Sequence, residues 1–244
     1  MNTIDRFHDI VSVQIDAAIA SQRPALEHGA ARIASALVLD RFVYAFGSGH
    51  SHLLAEEIFY RAGGLARACA ILPPALMLHE SASESSKREQ EPGVAAGILD
   101  SYPIGSGDVL IIASNSGRNA VPVEMALAAR ERRIETIAIT SLAHSRAFPS
   151  RHASGKRLFE VADIVLDTAG VPGDAALDLP GLPLRIGPTS TLVGAFLINA
   201  LIIRAIELAA EAGQTPEIYA SSNADDSGRN EALLNQYRNR IRHL

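Results

Sequence analysis

Residues 43–52 read VYAFGSGHSH. The apolar start suits a buried strand. It stops at Gly47, Gly, Ser and His then alternate, and a helical pattern, HLLAEEIFYRA (52–62), follows. The same order returns further on. DVLIIAS (108–114) runs into a polar loop with Ser114, Asn115, Ser116, Gly117 and Asn119, then into PVEMALAARERR (122–133). Pro122 stands near that helix start, where a missing N–H costs nothing. ARACAIL (66–72), ETIAIT (135–140) and ADIVLDT (162–168) are further apolar runs. Five such runs separated by helices predict a Rossmann-like α/β fold: a doubly wound five-stranded parallel sheet with helices on both faces.

Outside the sheet, residues 1–39 predict a helical extension of two helices, broken near SQRP (21–24) and packed on the main domain, residues 40–212. Residues 213–244 predict a polar turn, SSNADDSG (221–228), and a last amphipathic helix, NEALLNQYRNRI (230–241).

The chain has 244 residues, 48% hydrophobic and 20% charged, enough to bury a core. Its net charge of -5, with no long run of one sign, argues against nucleic acid or an acidic membrane as partner. The single cysteine, Cys69, cannot form an intramolecular disulfide and reads as a small core residue. The start, MNTIDRFHDI, lacks the basic-then-apolar pattern of a signal peptide, so a cytoplasmic location is expected. The longest apolar stretch, TLVGAFLINALIIRAIELAA (191–210), is interrupted by Asn199 and Arg204 and reads as a buried helix.

The two Gly/Ser loops carry the functional signal. In an open parallel sheet, ligands bind beyond the carboxyl ends of the strands, near a switch in strand order. A helix N-terminus there offers unpaired N–H groups and partial positive charge, which suits phosphate. Gly47, Gly49 and Gly117 allow close backbone approach, and the serines add hydroxyl donors. A Walker loop would need a lysine that is absent here. A dinucleotide fingerprint would need a small residue at His52 and an acid about twenty residues on, where Ile71, Leu72 and Pro73 stand. The alternative is a plain Gly/Ser turn between strand and helix.

GSGHS (47–51), SNSG (114–117), IAIT (137–140) and IGPTSTLVG (186–194) together resemble the SIS (sugar isomerase) domain family, over about residues 41–208. Within it, SGHSHLLAEE, LMLHE, SGKRLFEVAD and GPTST make the chain similar to a group of uncharacterised, UPF0309-like bacterial proteins of this length. The resemblance implies that Ser51, Ser114 and Ser116 hold a sugar phosphate; Ser48, Asn115 and Asn119 are further candidate contacts read from the loops themselves. It also makes Thr189, Ser190 and Thr191 sugar contacts, although Ser/Thr before an apolar helix equally suits capping. Family members are dimers or tetramers, so a homodimer or homotetramer is expected. The family often carries Thr or Ser shortly after the glycine of the second loop, where this chain has Arg118 and Asn119.

Aldose–ketose isomerisation needs a base of near-neutral pKa and a group that opens the sugar ring. His79 and Glu80, in ALMLHESASE after the second strand, are the candidates: a histidine in the corresponding loop opens the ring in the similar glucosamine-6-phosphate synthase. Glu56 and Glu57 are the next choice. Glu57 also suits an i,i+4 surface pair with Arg61. SLAHSRAFPSRHASGKR (141–157), with His144 and His152, reads as a solvated basic loop or one that closes over the ligand. The His50–His52 pair lacks a third ligand, so no metal is expected, and no cofactor is required. A non-catalytic phosphosugar sensor, or an etherase or deaminase step on the same ligand, are the alternatives. Arabinose-5-phosphate isomerisation fits poorly, since Arg118 stands where those enzymes carry Glu.

Overall fold

The computed structural model describes residues 2–223 and 228–244. Its centre is a five-stranded parallel sheet in the order β2-β1-β3-β4-β5. The strands are β1 (Val43–Gly47), β2 (Ala68–Ile71), β3 (Val109–Ala113), β4 (Glu135–Thr140) and β5 (Ile164–Asp167). The chain goes from β1 to β2 on one side and crosses back to β3 on the other. The order therefore switches at β1, and a crevice opens beyond the ends of β1 and β3.

Alternate residues of each strand feed two cores. Val43, Ala45 and Ile111 pack with α1 (Thr3–Val38), α2 (His52–Glu57) and α7 (Ser190–Glu211). Tyr44, Phe46, Leu110 and Ile112 pack on the other face with α4 (Val94–Asp100), α5 (Ala120–Glu131) and α8 (Arg229–Tyr237). This doubly wound arrangement matches the sequence-based fold class. α3 (Ala82–Arg88), α6 (Leu142–Ala147) and a hairpin, β6 (Ala175–Leu177) with β7 (Ile186–Pro188), complete the α-helices and strands of the described residues.

The N-terminal segment differs from expectation. It is one helix, α1, with Pro24 inside it. Pro24 and Ala20 both lie on the exposed side, so the carbonyl that loses its partner faces solvent. Ala18, Gly29, Ala30 and Ile33 meanwhile lie on the buried side, and packing overrides the break. A Cβ at Gly29 would come within 3.0 Å of Leu201, which shows how closely α1 lies on α7. The second helix is also shorter than its pattern. It stops at Glu57, and the chain then turns at Gly63, whose N–H donates to the Tyr219 carbonyl at 2.8 Å. The last helix, α8, ends at Tyr237 rather than near Ile241. Of the expected polar turn, residues 224–227 lie outside the described residues. α7 is long and apolar enough to span a bilayer, but Val193, Leu197, Leu201 and Ala205 are buried in the protein.

Candidate functional site

A small, narrow cleft lies beyond the carboxyl ends of β1, β3, β4 and β5. Its polar lining is Ser51, Ser114, Asn115, Thr168, Ser190 and Thr191. Five of these six were singled out by sequence; Thr168 was not. Two backbone constraints shape the loops. A Cβ on Gly47 would sit 2.2 Å from the Ser51 carbonyl oxygen, so only glycine lets the first loop fold back onto β1. Gly117 has φ +57, and a Cβ there would stand 3.0 Å from Thr140 Oγ1. Gly117 N–H donates to Ser114 Oγ at 3.2 Å, which fixes that hydroxyl as acceptor and leaves its proton for a ligand.

Several polar atoms here are buried with no partner: Asn115 Oδ1 and Thr168 Oγ1 in the lining, and Ser48 Oγ and Thr189 Oγ1 on the adjoining strand and helix ends. Such groups cost free energy unless something completes them. Hydroxyl donors around a cleft at a strand-order switch can receive a polyoxygen anion or a sugar.

The other expected residues are placed differently. Ser116 is half-buried and does not line the cleft. Asn119 is buried as the α5 N-cap, and its Oδ1 accepts from Arg151 Nη1 at 3.0 Å. The cap of α7 comes from neither Thr189 nor Ser190. Asp174, before β6, accepts the Thr189 and Ser190 N–H groups at 3.1 and 2.8 Å and the Ser190 hydroxyl at 2.6 Å. Asp174 holds φ 69, a left-handed conformation that Asp tolerates better than most residues. Sequence reasoning missed Asp174 and Thr168; the only signal was the turn-like GVPGD (170–174).

His79 and Glu80 are exposed and face each other at 3.8 Å. The His79 ring lies 6.0 Å from that of His52, which is buried. His52 Nδ1 donates to the Gly49 carbonyl at 2.5 Å, and its Nε2 lies 3.8 Å from Glu56 Oε1. Glu57 is engaged by Arg61 and accepts from Asn199 Nδ2 at 2.6 Å. His144 Nδ1 accepts the Gly173 N–H at 2.7 Å. Burial holds its pKa below the usual histidine value; Asp174 opposes that shift and Arg118 adds to it. Among the described residues no cluster of His, Cys, Asp or Glu is suited to a metal ion.

Residues 6–141 match the family model described as SIS domain. A UPF0309 protein of Shouchella clausii is 37% identical over 246 residues, 100% of each chain. Another, of Halalkalibacterium halodurans, is 43% identical over 89% of this chain and 90% of its own. Among solved structures, a phosphoheptose isomerase from Francisella tularensis superposes with a TM-score of 0.52 at 15% identity, covering 85% of this chain and 100% of that one. A Bacteroides fragilis protein, described as a proposed phosphosugar isomerase of capsule formation, gives 0.51 at 19% identity, covering 86% and 92%. At these identities the structural likeness concerns the fold.

Proposed function

The chain belongs to the SIS-domain family and, within it, is kin to the UPF0309 proteins; from that premise we propose that it binds a phosphorylated sugar and isomerises it between aldose and ketose. The observation that carries this reading is the hydroxyl-lined cleft at the β1/β3 switch, with the unpartnered Asn115 Oδ1 and Thr168 Oγ1 inside it. Ser51, Ser114 and nearby backbone N–H groups hold the phosphate, and Thr191 and Thr168 face the sugar. Phosphate binding energy, remote from the reacting carbons, positions the sugar. A base removes the proton from the carbon next to the carbonyl, and the resulting enediol is reprotonated on the neighbouring carbon. His79 and Glu80 are the proposed acid–base pair, with one of them opening the ring. The setting is cytoplasmic and the protein self-associates.

The test is a thermal-shift screen of sugar phosphates against the free sugars, followed by proton exchange in heavy water on each ligand that binds. A sugar phosphate that raises the melting temperature and exchanges its carbon-bound proton supports the proposal. Absence of any such shift sinks it. A second reading, binding without turnover, is favoured by one feature: the His79 and Glu80 side chains are both exposed, and neither lines the cleft. Binding with no exchange on any ligand would select it.

A further inference from the structure

The stretch from Ser141 to Phe159 contains Arg146, Arg151, Lys156 and Arg157 and no acid, in a chain whose net charge is -5. Arg157 is paired with Glu160, and Arg146 stacks on Phe159. Arg151 lies instead beside Arg118, which follows Gly117 in the second Gly/Ser loop. Among the described residues neither Arg118 nor Arg151 has a carboxylate within 4.0 Å. Arg118 Nε donates to the Pro149 carbonyl at 2.9 Å, and its guanidinium lies 5.4 Å from the Phe148 ring centroid. Arg151 Nη1 donates to Asn119 Oδ1, and its backbone N–H donates to the Arg118 carbonyl at 2.8 Å. Both are thus held against one wall by neutral partners, with most of their N–H donors unspent. Burial and then the Arg151 charge lower the Arg118 pKa, as expected of two like charges with no anion between them.

Neither arginine lines the hydroxyl cleft. Arg118 is three residues beyond Asn115, which does line it. Three residues separate the two Cα atoms by at most about 11 Å, which places the base of the Arg118 side chain within the length of a phosphorylated sugar acid.

We infer that the ligand carries a second anionic group, a carboxylate or another phosphate, received by the Arg118 and Arg151 guanidiniums beside the cleft. This rests on the phosphosugar reading of the cleft and narrows its ligand class. Arginine forks suit such groups because two parallel N–H donors match two oxygens.

Calorimetry on matched pairs tests it: glucose 6-phosphate against 6-phosphogluconate, and fructose 6-phosphate against fructose 1,6-bisphosphate. The second member of at least one pair is expected to bind about tenfold tighter or more, since a charge-assisted bond is worth at least that ratio. In Arg118→Gln and Arg151→Gln, each with an unchanged melting midpoint, that ratio falls toward one. Equal affinity within both pairs in the native protein overturns the inference and leaves the phosphosugar reading standing. Equal weakening of both members by the Gln variants also overturns it, since the arginines would then serve a single phosphate. If no member of either pair binds, and no sugar phosphate registers in the thermal-shift screen, both readings fall together. Should the variants not fold, the native comparison alone decides.

Discussion

Asp174 accepts the Ser190 N–H at 2.8 Å and the Ser190 hydroxyl at 2.6 Å, so a residue before the β6–β7 hairpin closes the N-terminus of the longest core-facing helix after α1. The same two contacts position Thr191 at the mouth of the cleft. Asp174→Ala is expected to lower unfolding free energy by about 1–2 kcal/mol, the range for lost N-caps. Asp174→Asn should keep most of it. Urea denaturation of the two variants checks this; an unaltered midpoint for the Ala variant would show that the cap contributes nothing.

Ser51 and Ser114 line the cleft from two different loops. Removing both hydroxyls should weaken sugar-phosphate binding by roughly 3 kcal/mol or more, at about 1.5–3 for each bond to a charged group. Backbone N–H groups remain, so binding should persist at high concentration. Ser116 stands outside the lining, and Ser116→Ala should cost less than either single change. Calorimetry with a ligand from the screen separates the three variants. A larger loss from Ser116 would mean that the loop closes differently around the phosphate.

The sheet was legible because its signal is local. Glu135–Thr140 has the same limits in the sequence pattern and in the structure, since a β-branched run interrupted only by Ala138 leaves little choice. The two Gly/Ser loops were legible for the same reason. Asp174 was not, because its partner lies 16 residues on and the hairpin that joins them has only three residues in each strand. Thr168 was hidden as an ordinary strand-end residue; its unpartnered hydroxyl exists only once β5 lies beside β4. Pro24 misled for a related cause. The break it encodes is real locally, but the packing of α1 on α7 is non-local.

His144 gives the hairpin attachment a pH dependence. Its pKa is lowered in the fold, chiefly by burial, and the Gly173 N–H needs an unprotonated Nδ1. The unfolded chain therefore binds a proton that the folded one refuses. Stability is complete above the unfolded pKa of about 6.5 and is lost as pH falls from there toward the folded value. Melting midpoints measured from pH 7.5 down to 5.5 should fall more steeply in the native protein than in His144→Gln. Parallel curves would show that His144 titrates normally.

The outer face of α7 exposes Leu192, Phe196 and Ile203. With α1 it forms a groove rimmed by Arg23, Glu27, Arg204 and Glu207, two charges of each sign, which a second copy of the same surface can match about a two-fold axis. Light scattering at micromolar concentration should give at least twice the mass of one chain. Phe196→Glu with Ile203→Glu should shift it to monomer while leaving the circular dichroism spectrum unchanged. A native monomer, or a doubly substituted dimer, would exclude this face.

The 6.0 Å separation of the His52 and His79 rings bears on where the chemistry sits. His52 follows the cleft-lining Ser51 directly, so His79 stands near the first Gly/Ser loop from the end of the neighbouring strand. Exposure leaves both His79 and Glu80 free to turn toward a bound sugar, and catalytic contacts commonly tighten only in the complex. His79→Gln and Glu80→Gln should each reduce turnover by about 10²–10⁴-fold while ligand affinity changes little, the signature of groups that act in the transition state. Heavy-water exchange beside calorimetry reads the two quantities separately. Were both variants to exchange the sugar proton at the native rate, the base would lie elsewhere. His52 with Glu56, already 3.8 Å apart and fixed by the Gly49 carbonyl, would then be the pair to substitute.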